Sequence, residues 1–197
     1  MTISNLFKEL ADKDFQDPNT GNLFFPAYIY TYDPGQEYKI REEIENLKER
    51  LLRPDNYVDC LILNIYRELI LFLKDQFLGE ESIFDMIIEE EKKNPEGMTS
   101  LLKEKAHSSK FFRFIDAKAQ EHFNFPSKYK KVYIMIYGFG SIFPYLRTSE
   151  FLKNYEQYLS GGYKLITVYP GHYENKHYHL FSIFNDENIY RATLINK

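Results

Sequence analysis

Residues 27–51, "AYIYTYDPGQEYKIREEIENLKERL", place a strand and a helix in direct succession, and their junction decides the fold class. Ala27–Tyr32 is a β-branched and aromatic run that ends at Asp33-Pro34. Asp33 stands where a helix cap belongs, Pro34 suits the first helical position, and Gln36 sits where a capping box takes its partner. Ile40, Ile44, Leu47 and Leu51 then recur at helical spacing. Glu37 and Arg41 form an i,i+4 pair expected on the exposed side. A strand that runs straight into an amphipathic helix is the building unit of a parallel sheet.

The same alternation continues on the C-terminal side. A second strand is expected at Val58–Ile65, followed by a helix carrying Leu69, Phe72, Leu73 and Phe77 and stopped near Gly79. Residues 80–123 carry only helical signals: a stripe of Ile83, Phe84, Ile87 and Ile88, a break at Asn94-Pro95-Glu96-Gly97, then Leu101, Leu102, Phe111, Phe112 and Ile115. The acidic run Glu89-Glu90-Glu91 reads as a solvated face. A third strand, Val132–Tyr137, leads into "GFGSIFPYLR". The helix after it carries Phe151, Leu152, Tyr155 and Leu159 and ends at Gly161-Gly162, with Thr148 or Ser149 available to cap it. Lys164–Tyr169 is the fourth strand, stopping at Pro170-Gly171. "YHLFSIF" and "IYRATLI", joined by residues 185–188, read as a hairpin. The expected architecture is therefore one α/β domain over residues 1–197. It has a mostly parallel sheet with helices on both faces, a helical insertion (80–123) between strands two and three, and a C-terminal antiparallel hairpin.

Composition narrows the function classes. A chain of 197 residues, 44% hydrophobic and 27% charged, is expected to fold around its own core without disulfides or structural metals. Seventeen tyrosines and seventeen phenylalanines, with no tryptophan, point to aromatic packing and to an aromatic surface that a partner can cover. Cys60, in "VDCLILNIY", is the single cysteine and reads as a small buried hydrophobe. The first residues lack a signal-peptide pattern and no apolar run approaches a membrane span of about 20 residues, so a cytoplasmic protein without membrane contact is expected. The net charge of −4 and the short basic clusters, Lys128-Lys130-Lys131 and Lys103-Lys105, argue against strong direct DNA binding.

Familiar chemistries fail one by one. After the first strand, "DPGQEYKI" offers one glycine and no Gly-Lys-Ser/Thr, and the third strand lacks a terminal acid for magnesium, so ATP hydrolysis is not expected. "GFGSIF" completes neither G-x-G-x-x-G, because Phe143 stands at the third glycine, nor G-x-S-x-G. Its glycines supply either a tight turn or an anion-binding nest over Gly138–Ser141. "HYENKHYH" groups His172, Glu174, His177 and His179, with His177 and His179 on one strand face, but exposed hairpin histidines are the simpler reading and no metal or cofactor is expected. Arg147 and Arg191 each follow aromatic residues at a strand or loop junction. Either can be a buried tie to carbonyls and acids or a recognition group.

The ordered set Asp33-Pro34, Glu37, Arg41; Gly138-x-Gly140-x-x-Phe143-Pro144-x-x-Arg147; Tyr169-Pro170-Gly171-x-Tyr173; Leu180-Phe181; Tyr190-Arg191-Ala192 resembles the BrxB family of bacteriophage-exclusion (BREX) defence systems. The resemblance extends over about residues 5 to 195, and both the insertion and the histidines at 177 and 179 lie outside the shared pattern. It implies a non-catalytic, cytoplasmic component of a system that methylates host DNA and blocks replication of phage DNA. The implied role is assembly or adaptor protein, with a PglZ-type protein as the first partner and the BREX ATPase and DNA methyltransferase as further ones. The candidate interaction or anion-recognition residues are Gly138, Gly140, Pro144, Arg147, Pro170, Gly171, Tyr190 and Arg191. The alternative is an anion, nucleotide or nucleic-acid-phosphate binder, or a cryptic enzyme, that uses the Gly138–Arg147 loop.

Overall fold

A computed structural model describes residues 3–17, 26–159, 162–186 and 192–195. Helix α1 (Ile3–Ala11) precedes strand β1 (Ala27–Tyr32). Asp33 then accepts a hydrogen bond from the Gly35 N–H at 3.0 Å, closer than the third residue on, where a capping box would close. A single 3-10 turn over Pro34–Gln36 therefore intervenes before α2 (Glu37–Leu51). Strand β2 (Val58–Asn64) ends one residue before its expected limit. Asn64 caps α3 (Ile65–Lys74) by accepting from the Tyr66 and Arg67 N–H groups, which draws Ile65 into the helix.

Phe77 does not belong to that helix. It lies in a short hairpin, β3 (Phe77–Leu78) with β4 (Glu81–Ser82), turned by Gly79 at φ +68°. Ser82 caps α4 (Ile83–Glu90), in which Ile83 and Ile87 are buried while Ile88 of the expected stripe is 49% exposed. The break at Asn94-Pro95 is a helix start: Asn94 caps α5 (Pro95–Ala106) by accepting from Gly97 N–H. Helix α6 (Ser109–Asn124) completes the insertion.

Strand β5 (Lys130–Tyr137), the single turn α7 (Phe139–Ile142) and α8 (Thr148–Tyr155) follow. Helix α8 gives way to a 3-10 turn over Glu156–Tyr158, short of the expected limit, and Gly161 lies outside the described residues. Strand β6 (Lys164–Glu174) runs straight through Pro170-Gly171 and turns at Asn175-Lys176, both at positive φ, into β7 (His177–Leu180). Strands β8 (Phe184–Asn185) and β9 (Thr193–Leu194) end the chain.

Among the described residues the main sheet runs β2-β5-β6-β1-β9 with parallel pairing throughout. Each inner strand is buried on both faces, which is why it reads as a near-continuous apolar run. Tyr28, Tyr30, Ile166 and Val168 pack under α1 and α2, against Leu6, Leu10, Ile44 and Leu47. Ala27, Ile29, Ile134 and Leu165 face the opposite core, with Leu69, Phe72, Phe111, Phe112 and Phe151. Helices thus cover both faces, as expected.

The antiparallel part differs in placement from the sequence reading. The hairpin pairs Gly171–Glu174 with His177–Leu180, and β7 then pairs β8. Thr193–Leu194 joins β1 in parallel at the sheet margin instead of returning on "YHLFSIF". The strand survives Pro170 because pairing with β5 stops at Ile136↔Thr167, so on that side no neighbour needs the missing N–H.

Candidate interaction site at the carboxyl ends of the strands

Helix α2 leaves β1 on one face of the sheet, while α7 and α8 leave β5 on the other. The loops after β1 and β5 therefore diverge, and a crevice opens at the carboxyl ends of the strands, the usual ligand position of such sheets. Here β6 passes between the two loops and occupies the space. Phe181, just after β7, donates its N–H to the Pro170 carbonyl at 2.8 Å. A Cβ on Gly140 would meet the Phe181 ring at 2.8 Å and Pro170 at 3.3 Å. The glycine at 140 is there to let the ring and the proline lie against the backbone.

Gly138 and Gly171 have equally specific reasons. Gly138 takes a left-handed conformation (φ +88°), and a Cβ there would stand 2.6 Å from the Asn64 carboxamide oxygen that caps α3. A Cβ on Gly171 would stand 2.0 Å from the His179 carbonyl oxygen across the hairpin. The Ser141 and Ile142 N–H groups both donate to the Gly138 carbonyl, at 3.0 and 3.2 Å, so the turn itself consumes amides that an anion nest would need.

The Glu37–Arg41 pair lies at the crevice and not on the outer side of its helix. Arg41 donates to Glu37 at 2.9 Å and, through its other end, to the Ser141 hydroxyl at 2.9 Å. Glu37 also accepts from the Tyr32 hydroxyl, and burial followed by this bond raises the Tyr32 pKa. A small cavity of about 290 Å³ remains between Pro34, Tyr38, Arg41, Ser141 and Phe181. A second, about 500 Å³, lies on the α2 side among Thr31, Asp33, Lys39, His172 and Ser182.

Pro144 follows a cis peptide bond after Phe143. The Phe143 ring stacks on Phe184 (centroids 5.5 Å apart) and meets Phe181 edge-on at 5.9 Å. Arg147 lies over the Phe143 ring at 5.8 Å and donates to the Asn185 carbonyl at 3.2 Å. Its guanidinium stands 3.9 Å from the carboxylate of Asp186, which also accepts from Ser149 at 3.0 Å and from Tyr169 at 3.4 Å. Ser149 thus turns away from the cap it was expected to make, and Arg147 itself is the residue preceding α8. Glu150 accepts from the Arg147 N–H and lies 3.0 Å from His107. Burial alone would raise the Glu150 pKa, but these partners outweigh it and hold the carboxyl below its ordinary value. Asp186 had no sequence signal beyond its place in a polar loop, because its partners come from distant elements.

His172 and His179 stack across the hairpin with centroids 4.8 Å apart, and Glu174 faces His177 in the same register. Among the described residues no group of three or more His, Cys, Asp or Glu is arranged to hold a metal ion. Cys60 is fully buried, and burial pushes its thiol up to about 12. Tyr190 and Arg191 lie outside the described residues. No described helix is long and apolar enough to cross a membrane.

Residues 61–195 match the family described as BREX protein BrxB. The chain is also 24% identical over 200 residues to a BREX protein BrxB of Bacillus cereus (strain H3081.97), covering 99% of this chain and 96% of that protein. No solved structure matches.

Proposed function

The chain belongs to the BrxB family, and from that premise we propose that it is a non-catalytic, cytoplasmic adaptor of a BREX defence system. It binds other proteins of the system through the carboxyl-end surface, and a PglZ-type protein is its first partner. One observation carries the reading: the crevice where an open α/β sheet holds its ligand is filled by the protein's own Pro170 and Phe181, packed on Gly140. The space left between the two loops, about 290 Å³, is at the lower limit of pockets that enclose small molecules, and the larger cavity of about 500 Å³ lies to the α2 side, away from the Gly138–Arg147 loop. Tyr38, which lines this space, is 86% exposed, and Ile183, two residues beyond Phe181, is 74% exposed. Exposed aromatic and aliphatic side chains set beside a half-exposed arginine have the composition of an interface anchor. The alternative, phosphate binding by the Gly138–Arg147 loop, finds less support, because the Ser141, Ile142 and Phe143 amides and Arg147 already have partners.

Affinity purification of the tagged chain from cells carrying the whole BREX system tests the reading. The PglZ-type protein is expected in stoichiometric amount, and Tyr38→Ala with Ile183→Asp is expected to remove it without changing the melting temperature. Recovery of the chain alone, or unchanged capture by the double variant, contradicts the reading.

A further inference from the structure

A second surface lies away from the carboxyl ends. The β3–β4 hairpin projects between α3 and α4, closed at its base by Ile83 N–H donating to Gln76 O at 2.7 Å. Its two apolar residues are turned outward: Phe77 is 65% exposed and Leu78 67%. A two-stranded ribbon gains little stability by itself in water, and apolar side chains at its tip add none. Such a tip is the kind of exposed patch that marks a contact.

Charge identifies what the tip fits. Residues 75–91, "DQFLGEESIFDMIIEEE", contain seven acids and no lysine or arginine, against a net charge of −4 for the whole chain. Phe77 opens onto a concavity of about 630 Å³ shared with Glu80, Glu81, Asp85 and Glu89. Lys74, the one cation among the described residues that line that concavity, rests 4.8 Å over the Phe84 ring. Nucleic acid and anionic lipid are repelled by this surface. A two-fold contact with a second copy would set acids against acids.

We propose that the β3–β4 hairpin and the adjoining face of α4 dock a basic protein segment, one that sets lysine or arginine against the acids and an apolar side chain against Phe77 and Leu78. The apolar tip supplies the buried contact, and the acids steer the partner and reject others. The surface is separate from the carboxyl-end site, so the two readings stand or fall independently.

The test uses the full chain and a fluorescein-labelled synthetic peptide, acetyl-KRLFKRK-amide, in an anisotropy titration near physiological salt. Saturable binding is expected, weakened at least about tenfold by Phe77→Ser with Leu78→Ser, and similarly by Glu81→Lys with Glu89→Lys. A control peptide with serine for its leucine and phenylalanine is expected to bind about tenfold more weakly. All four substituted residues are outside the core, so thermal melts of the variants should match the parent. No saturable binding, or binding equal for both peptides and indifferent to Phe77 and Leu78, overturns the proposal. Concentration-dependent dimers in sedimentation that the same variants abolish also overturn it, by making a second copy the occupant.

Discussion

The Arg147 guanidinium lies 3.9 Å from the carboxylate of Asp186, whose side chain is only 1% exposed. This pair ties the loop before α8 to the end of the β6–β7–β8 ribbon, and Ser149 and Tyr169 close on the same carboxylate. The acid, not the arginine, is the hub. Asp186→Ala removes the shared acceptor of three groups and is expected to cost about 2–3 kcal/mol. Arg147→Ala leaves Asp186 still accepting from the Ser149 and Tyr169 hydroxyls and is expected to cost about 1 kcal/mol. For a chain of this size each kcal/mol lowers Tm by about 2–4 °C. Thermal melts of both variants check the order, and an equal or larger drop for Arg147→Ala refutes it.

Gly171 and Gly140 are both close-contact glycines, but they differ in what stands against them. Gly171→Ala puts a methyl group onto the backbone oxygen of His179, so the ribbon itself must part, at a cost of about 3 kcal/mol or more. Gly140→Ala meets the edge of the Phe181 ring, which can swing aside, at about 1 kcal/mol. Urea titrations of the two variants should keep that order.

His122 makes stability depend on pH. Burial, which outweighs the opposing pull of Asp59, holds its pKa below the ordinary 6.5, and Lys131 and Lys48 push the same way. The unfolded chain therefore takes up the proton first as pH falls. The contribution is whole above about 6.5 and is lost as pH drops from there through the lower folded value. Melting temperatures of the parent and His122→Gln, measured from pH 7.5 down to about 5.5, should show the steeper loss in the parent. Parallel curves rule out His122 as the source.

Nucleotide should find no seat at the glycine turn. The Ser141 and Ile142 amides are spent on Gly138 O, and Arg41 is held by Glu37 and Ser141. Calorimetric titration with magnesium and ATP is expected to give no binding heat. Magnesium-dependent binding at about 1–10 µM, of the strength a phosphate-cradling loop supplies, contradicts this.

Legibility from sequence followed distance along the chain. Ala27–Tyr32 was readable to the residue and the buried face of its helix from the Ile40-Ile44-Leu47-Leu51 stripe, but the helix start was not, because Asp33 closes on Gly35 and a 3-10 turn precedes Glu37. The inward turn of Arg41 was not, since its partner Ser141 is 100 residues away. Asp186 is 37 residues from Ser149 and 17 from Tyr169, so nothing local distinguishes it from a solvated loop acid. Pro170-Gly171 carries a turn signal, yet the strand continues because β5 has already parted from β6, a fact of the sheet and not of the dipeptide.

The adaptor role itself is tested most directly by mass. Size-exclusion chromatography with light scattering is run on the purified chain mixed in equimolar amount with the purified PglZ-type protein of the same BREX system. The account predicts one earlier-eluting species, heavier than the PglZ-type protein by 23.6 kDa for each copy bound, and lost with Tyr38→Ala and Ile183→Asp. Two separate peaks at their own masses, at about 10 µM of each protein, would contradict it.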